Sequence, residues 1–240
     1  MFPGQGSQQV GMGEELLDIY PNLLIDEFEE ALNWSLQEIV LTSDKEEITK
    51  TNIAQPYIFA ISYCYGLEAI KKLGNPSVAI GHSLGEYTAL ALGGYLSFSD
   101  ALKIISVRGE AMQKAVENSG TTMAAVLSSE LEKTVDSVKE LKAQGIDINI
   151  SNYNDATQIV ISGKYEDIDY LKSNPKSLNA KRIIPLDVAG AFHSPVVTPA
   201  KKDVKEVLEN IEFKSGKFDV YMNVDAQLVE LSNVRERLAG

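Results

Sequence analysis

The sequence predicts an α/β fold in which a larger body with a parallel sheet carries a smaller inserted subdomain. Three observations predict it. An apolar strand runs into a glycine-flanked serine and then a helix across residues 78–92; residues 121–189 alternate strand and helix signatures in the order β-α-β-β-α-β; and 240 residues with 44% apolar content can bury one α/β core and an insertion.

The elements follow in chain order. Residues 14–73 read as mostly helical, with apolar positions such as Leu16, Leu17, Leu23, Leu24 and Phe28 at helical spacing and a second stretch from Tyr57 to Leu73, which Asn75-Pro76 ends. Val78-Ala79-Ile80 then enters Gly81-His82-Ser83-Leu84-Gly85, and Glu86–Leu92 leaves it with helical composition until Gly93-Gly94. Glycines two residues either side of Ser83 permit a close chain reversal, so this segment reads as the nucleophile elbow of an α/β-hydrolase-like body. Another helix is predicted from Asp100 to Val116. Beyond it, Met123–Leu127, Ile146–Ser151, Gln158–Ser162 and Arg182–Ala189 read as strands, with Glu130–Ala143 and Asp167–Leu171 as helices and Asn152-Tyr153-Asn154-Asp155 as a connection. That order is ferredoxin-like. The predicted division is residues 1–120 and 190–240 for the α/β catalytic subdomain and 121–189 for the small one, with a ligand site in the cleft between them.

Composition excludes several functions. A formal charge of −12 argues against nucleic-acid or anionic-membrane binding, local basic spots such as Lys181-Arg182 and Lys201-Lys202 notwithstanding. The single cysteine, Cys64, lies in an apolar aromatic stretch, reads as a core residue and fits a reducing cytoplasm. No apolar run is long enough to span a membrane and the N-terminus lacks a secretion signal. Two histidines make a zinc site improbable, and no metal is expected.

A serine hydroxyl needs a base, and the chain offers two imidazoles. His82 adjoins Ser83 on the strand side, where successive side chains point to opposite faces, so a structural role suits it. His193, in Gly190-Ala191-Phe192-His193-Ser194-Pro195, is the candidate base; the competing reading is a surface-loop histidine. Asp187 and Asp225 could orient it, but a Ser-His dyad needs no acid, and the role is left empty. Phe2-Pro3-Gly4-Gln5-Gly6-Ser7-Gln8 is a glycine-rich loop predicted to open a helix and offer amides to an anion. It lacks the Gly-Lys-Ser/Thr of a phosphate loop. The amides of Leu84 and Gln5 are the candidate oxyanion donors. On the Asp100–Val116 helix, Arg108 falls near the middle of the apolar half-circle formed by Ala101, Leu102, Ile104, Ile105, Met112, Ala115 and Val116. A guanidinium directed at a core needs an anionic partner: either a protein acid such as Glu68 or Asp187, or a substrate carboxylate.

Together these residues resemble the malonyl-CoA:acyl carrier protein transacylase family, including the free-standing acyltransferases of polyketide synthases. FPGQGSQ at 2–8, Gln55-Pro56, GHSLGEY at 81–87, Arg108-Gly109, GAFHSP at 190–195 and Asn223-Val224-Asp225 occur in the family's order and approximate spacing over nearly the whole chain. The resemblance implies that Ser83 is acylated by malonyl-CoA, His193 is base and later acid, Arg108 binds the malonyl carboxylate, Gln5 and Leu84 form the oxyanion hole, and Gln55 lines the pocket. Phe192 and Leu84 resemble the malonyl-selective pattern. It further implies a cytoplasmic monomer without cofactor, whose partners are malonyl-CoA and acyl carrier protein. Family members carry an apolar strand ahead of FPGQGSQ and continue past the equivalent of Gly240 with a glutamine near the histidine, so the chain is expected to lack the strand anchoring the oxyanion loop and to be short at both ends. The alternatives are a trans-acting thioester hydrolase and a non-catalytic fragment that docks carrier protein.

Overall fold

The computed structural model describes residues 1–239 and divides into two compact units: Met1–Ala111 with the segment from Ala200 onward, and Met112–Pro199. The expected boundaries at 121 and 189 lie inside the second unit. The strands are β1 (Val78–Ile80), β2 (Thr121–Leu127), β3 (Ile148–Asp155), β4 (Gln158–Lys164), β5 (Arg182–Pro185) and β6 (Asp219–Tyr221). The helices are α1 (Glu14–Ile19), α2 (Phe28–Leu32), α3 (Leu36–Thr42), α4 (Lys45–Thr49), α5 (Thr51–Leu73), α6 (Gly85–Gly93), α7 (Phe98–Val116), α8 (Leu131–Ala143), α9 (Tyr165–Ser173), α10 (Ala200–Glu209) and α11 (Val234–Ala239). Among the described residues, no helix is long and apolar enough to cross a membrane.

In the first unit, the helical stretch is cut by local chemistry that the apolar spacing does not report. A π-helical turn, Asn22–Glu27, leads into α2, which ends where Asn33 takes a left-handed conformation. Ser35 and Asp44 then cap α3 and α4 by accepting the amides of Glu38 and Glu47. Helix α5 begins at Thr51 rather than Tyr57, carrying Pro56 just past its first turn. A proline there removes one ladder bond, and burial of every residue from Ala54 to Ser62 outweighs it. Helix α7 starts two residues before Asp100 because the Ser97 hydroxyl accepts the Asp100 amide at 3.0 Å.

β1 and β6 pair in parallel, Val78 opposite Asp219 and Ile80 opposite Tyr221. Among the described residues no strand precedes the N-terminal loop, and a single bridge holds it instead. Phe2 forms a parallel bridge with Gly81, donating to the Ile80 carbonyl at 2.8 Å and accepting the His82 amide at 3.0 Å. The loop does not open a helix, however: turns occupy residues 10–13 and α1 starts only at Glu14. All of α6 is buried, and left-handed Gly94 caps it by donating to the carbonyls of Leu90 and Ala91.

The second unit is an antiparallel sheet in the order β5-β2-β4-β3, the ferredoxin-like arrangement. Ala124 and Val126 of β2 and Ile159 and Ile161 of β4 share one buried cluster with Val138 of α8 and Ile168 and Leu171 of α9. Residues 152–155 belong to β3 rather than to a connection. The hairpin is closed by Ala156-Thr157, where Asp155 Oδ1 accepts the Thr157 amide at 2.6 Å, so the strand continues past Ser151 with register shifts after Ile150 and Tyr153. β5 ends at Pro185 instead of Ala189, with one further backbone bond beyond it, the Leu186 amide donating to the Met123 carbonyl at 2.9 Å.

Candidate active site

Ser83 follows β1 at φ +49°, a left-handed backbone that a non-glycine residue adopts at a cost of about 1–3 kcal/mol. The turn is tight on both sides. A Cβ on Gly81 would lie 1.9 Å from the Gly85 carbonyl carbon, and one on Gly85 would lie 2.4 Å from the Phe2 oxygen. Gly81→Ala is therefore expected to destabilise the protein by about 3 kcal/mol or more, read as a lower denaturation midpoint. An unchanged midpoint would refute the tight-turn account.

Side chains from four elements meet this elbow. Arg108 of α7 donates from Nη2 to Ser83 Oγ at 2.9 Å and from Nη1 to Gln55 Oε1 of α5 at 2.6 Å. Its guanidinium also lies 5.9 Å from the Tyr87 ring centroid of α6. Gln55 is 1% exposed, and its Nε2 reaches toward Gln5 Oε1 at 3.5 Å, while Gln5 Nε2 donates to Thr51 Oγ1 at 3.2 Å. Gln5, Gln55, Arg108 and Ser83 thus form one polar file. The alternative ion pair for Arg108 is not formed with Glu68, whose carboxylate is held by Lys71 and the Tyr20 hydroxyl. Among the described residues, no carboxylate lies within salt-bridge distance of Arg108.

The candidate oxyanion amides lie within the same unit. The Leu84 amide opens α6 and the Gln5 amide lies in the first loop; among the described residues neither donates to a protein acceptor. The loop is braced by Ser7 Oγ donating to the Gly4 carbonyl (2.9 Å) and by Gln8 Oε1 accepting the Gly6 amide (2.8 Å).

His193 and Phe192 belong to the second unit. His193 is exposed and left-handed at φ +52°, in a loop pinned on both sides. Ala191 donates its amide to Thr121 Oγ1 (3.1 Å), the Phe192 carbonyl accepts from Ser151 Oγ (3.0 Å), and Ser194 Oγ donates to the Ala191 carbonyl (2.6 Å). Phe192 is buried. Asp225, considered as an orienting acid, is instead paired with Arg237, which holds its carboxyl below the ordinary carboxylate range.

Across the whole of residues 1–239, the chain matches the family model of the acyl transferase domain. It belongs to that family. The acyl transferase chain is 39% identical over 242 residues to the malonyl CoA-acyl carrier protein transacylase of Bacillus subtilis, covering 99% of this chain and 76% of that one. A Staphylococcus aureus protein of the same name is 36% identical over 229 residues, covering 95% and 74%. Among solved structures, a malonyl-transacylase in complex with the acyl carrier protein of a type II polyketide synthase superposes with a TM-score of 0.88 at 34% identity, covering 99% of this chain and 78% of that one.

Two residues of the acyl transferase elbow carry no role in the sequence analysis. Asn223 follows β6 by two positions and accepts the Ser83 amide on Oδ1 at 2.8 Å, across 140 positions of sequence. Glu86, on α6, is 8% exposed and accepts the Asn223 amide at 2.8 Å. A carboxylate inside the otherwise uncharged segment Glu86–Leu92 was the available signal for it. Burial raises the Glu86 carboxyl from 4.5 to about 6, against the lowering effects of the Asn223 amide and of Arg108 and Arg237. Because the folded value is the higher one, Glu86 adds stability below about pH 4.5 and loses that contribution as pH rises through about 6. Glu86→Gln should accordingly gain on the parent by about 2 kcal/mol between pH 4.5 and 7 in denaturant titrations. A pH-independent difference would contradict this.

Proposed function

We propose that this acyl transferase moves a malonyl group from malonyl-CoA to the phosphopantetheine thiol of an acyl carrier protein by a ping-pong mechanism through a malonyl-Ser83 ester. The observation that carries the reading is Arg108, a partly buried guanidinium whose partners are the neutral oxygens of Ser83 and Gln55. It has charge to spare for an acyl group bearing a free carboxylate, and it is already at the nucleophile. A hydrolase of simple acyl chains has no use for that cation. The names of the relatives support the same substrate pair.

The roles follow from the chemistry. The His193 imidazole takes the Ser83 hydroxyl proton as Oγ attacks the thioester carbonyl. The amides of Gln5 and Leu84 receive the oxyanion. Collapse of the adduct breaks the C–S bond, and the imidazolium returns the proton to the departing CoA thiolate. The carrier thiol then gives its proton to His193 and attacks the ester; the C–Oγ bond breaks, and the imidazolium returns the proton to the Ser83 oxygen. Arg108 holds the malonyl carboxylate, with Gln55 fixing the guanidinium plane, and Phe192 limits the acyl group.

Initial rates with malonyl-CoA and carrier protein varied together test the order of events. Parallel double-reciprocal lines are expected, and lines converging at an intersection would overturn the ping-pong scheme.

A further inference from the structure

The glycines leave Ser83 room to adopt its left-handed conformation, but room does not hold it there. The element that does is Asn223. Its Oδ1 accepts the Ser83 amide at 2.8 Å, its Nδ2 donates to the Gly81 carbonyl at 2.9 Å, and its own amide donates to Glu86 Oε1 at 2.8 Å. Ser83 N–H can only donate and Gly81 C=O can only accept, so the carboxamide has one orientation that satisfies both. One side chain therefore spans the elbow from the strand side to the serine itself.

The clamp is mounted on a braced turn. Met222 donates its amide to the Gln227 carbonyl at 2.9 Å, Asp225 accepts the Gln227 amide at 3.0 Å, and Asp225 is paired with Arg237. β6 delivers this turn through its parallel pairing with β1. Asn223 is exposed, so water could satisfy the Ser83 amide in its absence; water would not fix its φ.

We propose that Asn223 is the positioning residue of the elbow, its carboxamide clamping Ser83 N–H and Gly81 C=O so that the serine hydroxyl is aimed for attack. The inference rests on the reading of Ser83 as nucleophile. The hydrogen bonds of Asn223 go to Ser83, Gly81 and Glu86 and not to Arg108 or Gln55, so replacing Asn223 leaves the bonds between Arg108, Gln55 and the Ser83 hydroxyl in place.

The test is single-turnover acylation by malonyl-CoA, followed by rapid-quench intact-protein mass spectrometry, for the parent, Asn223→Ala and Asn223→Asp. Asn223→Ala is expected to acylate about 100-fold more slowly, with the malonyl-CoA concentration for half-maximal rate unchanged and with full final stoichiometry. Asn223→Asp keeps the acceptor for Ser83 and loses the donor to Gly81, so its rate should fall between the two. An Asn223→Ala rate within threefold of the parent would overturn the proposal, as would a reduced final stoichiometry at unchanged rate, which marks lost folded protein. If the parent itself forms no adduct on Ser83, it is the nucleophile reading that fails.

Discussion

Replacing His193 with alanine is expected to lower malonyl transfer by about 10⁴-fold, because an unassisted serine hydroxyl is a poor nucleophile at neutral pH. No other imidazole can substitute. His82 is built into the frame of the elbow, its backbone amide donating to Phe2 and its own carbonyl accepting the Gly85 amide at 3.0 Å. His193 by contrast is exposed, in a loop whose neighbours on both sides are pinned to the second unit. Its φ of +52° adds a complication, since alanine is strained there while asparagine tolerates the left-handed region. Measuring His193→Asn beside His193→Ala removes it: both must lose activity with little change in thermal midpoint. Transfer by His193→Asn within tenfold of the parent would exclude His193 as the base.

Arg108→Ala is expected to reduce malonyl loading by about 10²–10³-fold while leaving acetyl loading within a few-fold, so that the preference between the two acyl-CoA substrates collapses. The reason is geometric. The guanidinium holds Ser83 Oγ with one nitrogen and Gln55 with the other, and a carboxylate carried by the acyl group completes a charged pair that no acid among the described residues supplies. Arg108→Lys should recover only part of the loss, because an ammonium cannot keep the planar bond to Gln55 while meeting a carboxylate with two parallel donors. Equal losses for malonyl and acetyl loading would mean that Arg108 serves the serine and not the substrate.

How far these features were legible in the chain depended on the range of the interaction behind each. The elbow, the ferredoxin-like order of strands and the inward face of Arg108 are written in local spacing, and strand-turn-helix composition or helical periodicity suffices to find them. Helix ends were missed where a cap decided them: Ser97 moved the start of α7 and Ser35 and Asp44 divided the early helices. The extra residues of β3 depended on a two-residue turn that Asp155 closes, and the sequence read those polar positions as a loop. The roles of Asn223 and Glu86 were out of reach for another reason, although the lone carboxylate of the segment Glu86–Leu92 flags Glu86 itself. Their meaning lies in hydrogen bonds that join β6 to the elbow across 140 and 137 positions, and neither periodicity nor spacing carries that. The anchoring of the first loop by Phe2 belongs to the same class, since a single bridge to Gly81 leaves no run of residues to read.

The central claim is that Ser83 is an activated nucleophile that takes a malonyl group from CoA. Intact-protein mass spectrometry after brief incubation with malonyl-CoA, beside a Ser83→Ala control, tests it most directly. An added mass of about 86 Da on the parent and none on the control is the predicted result. Folded parent without the adduct, or the same adduct on Ser83→Ala, would contradict it.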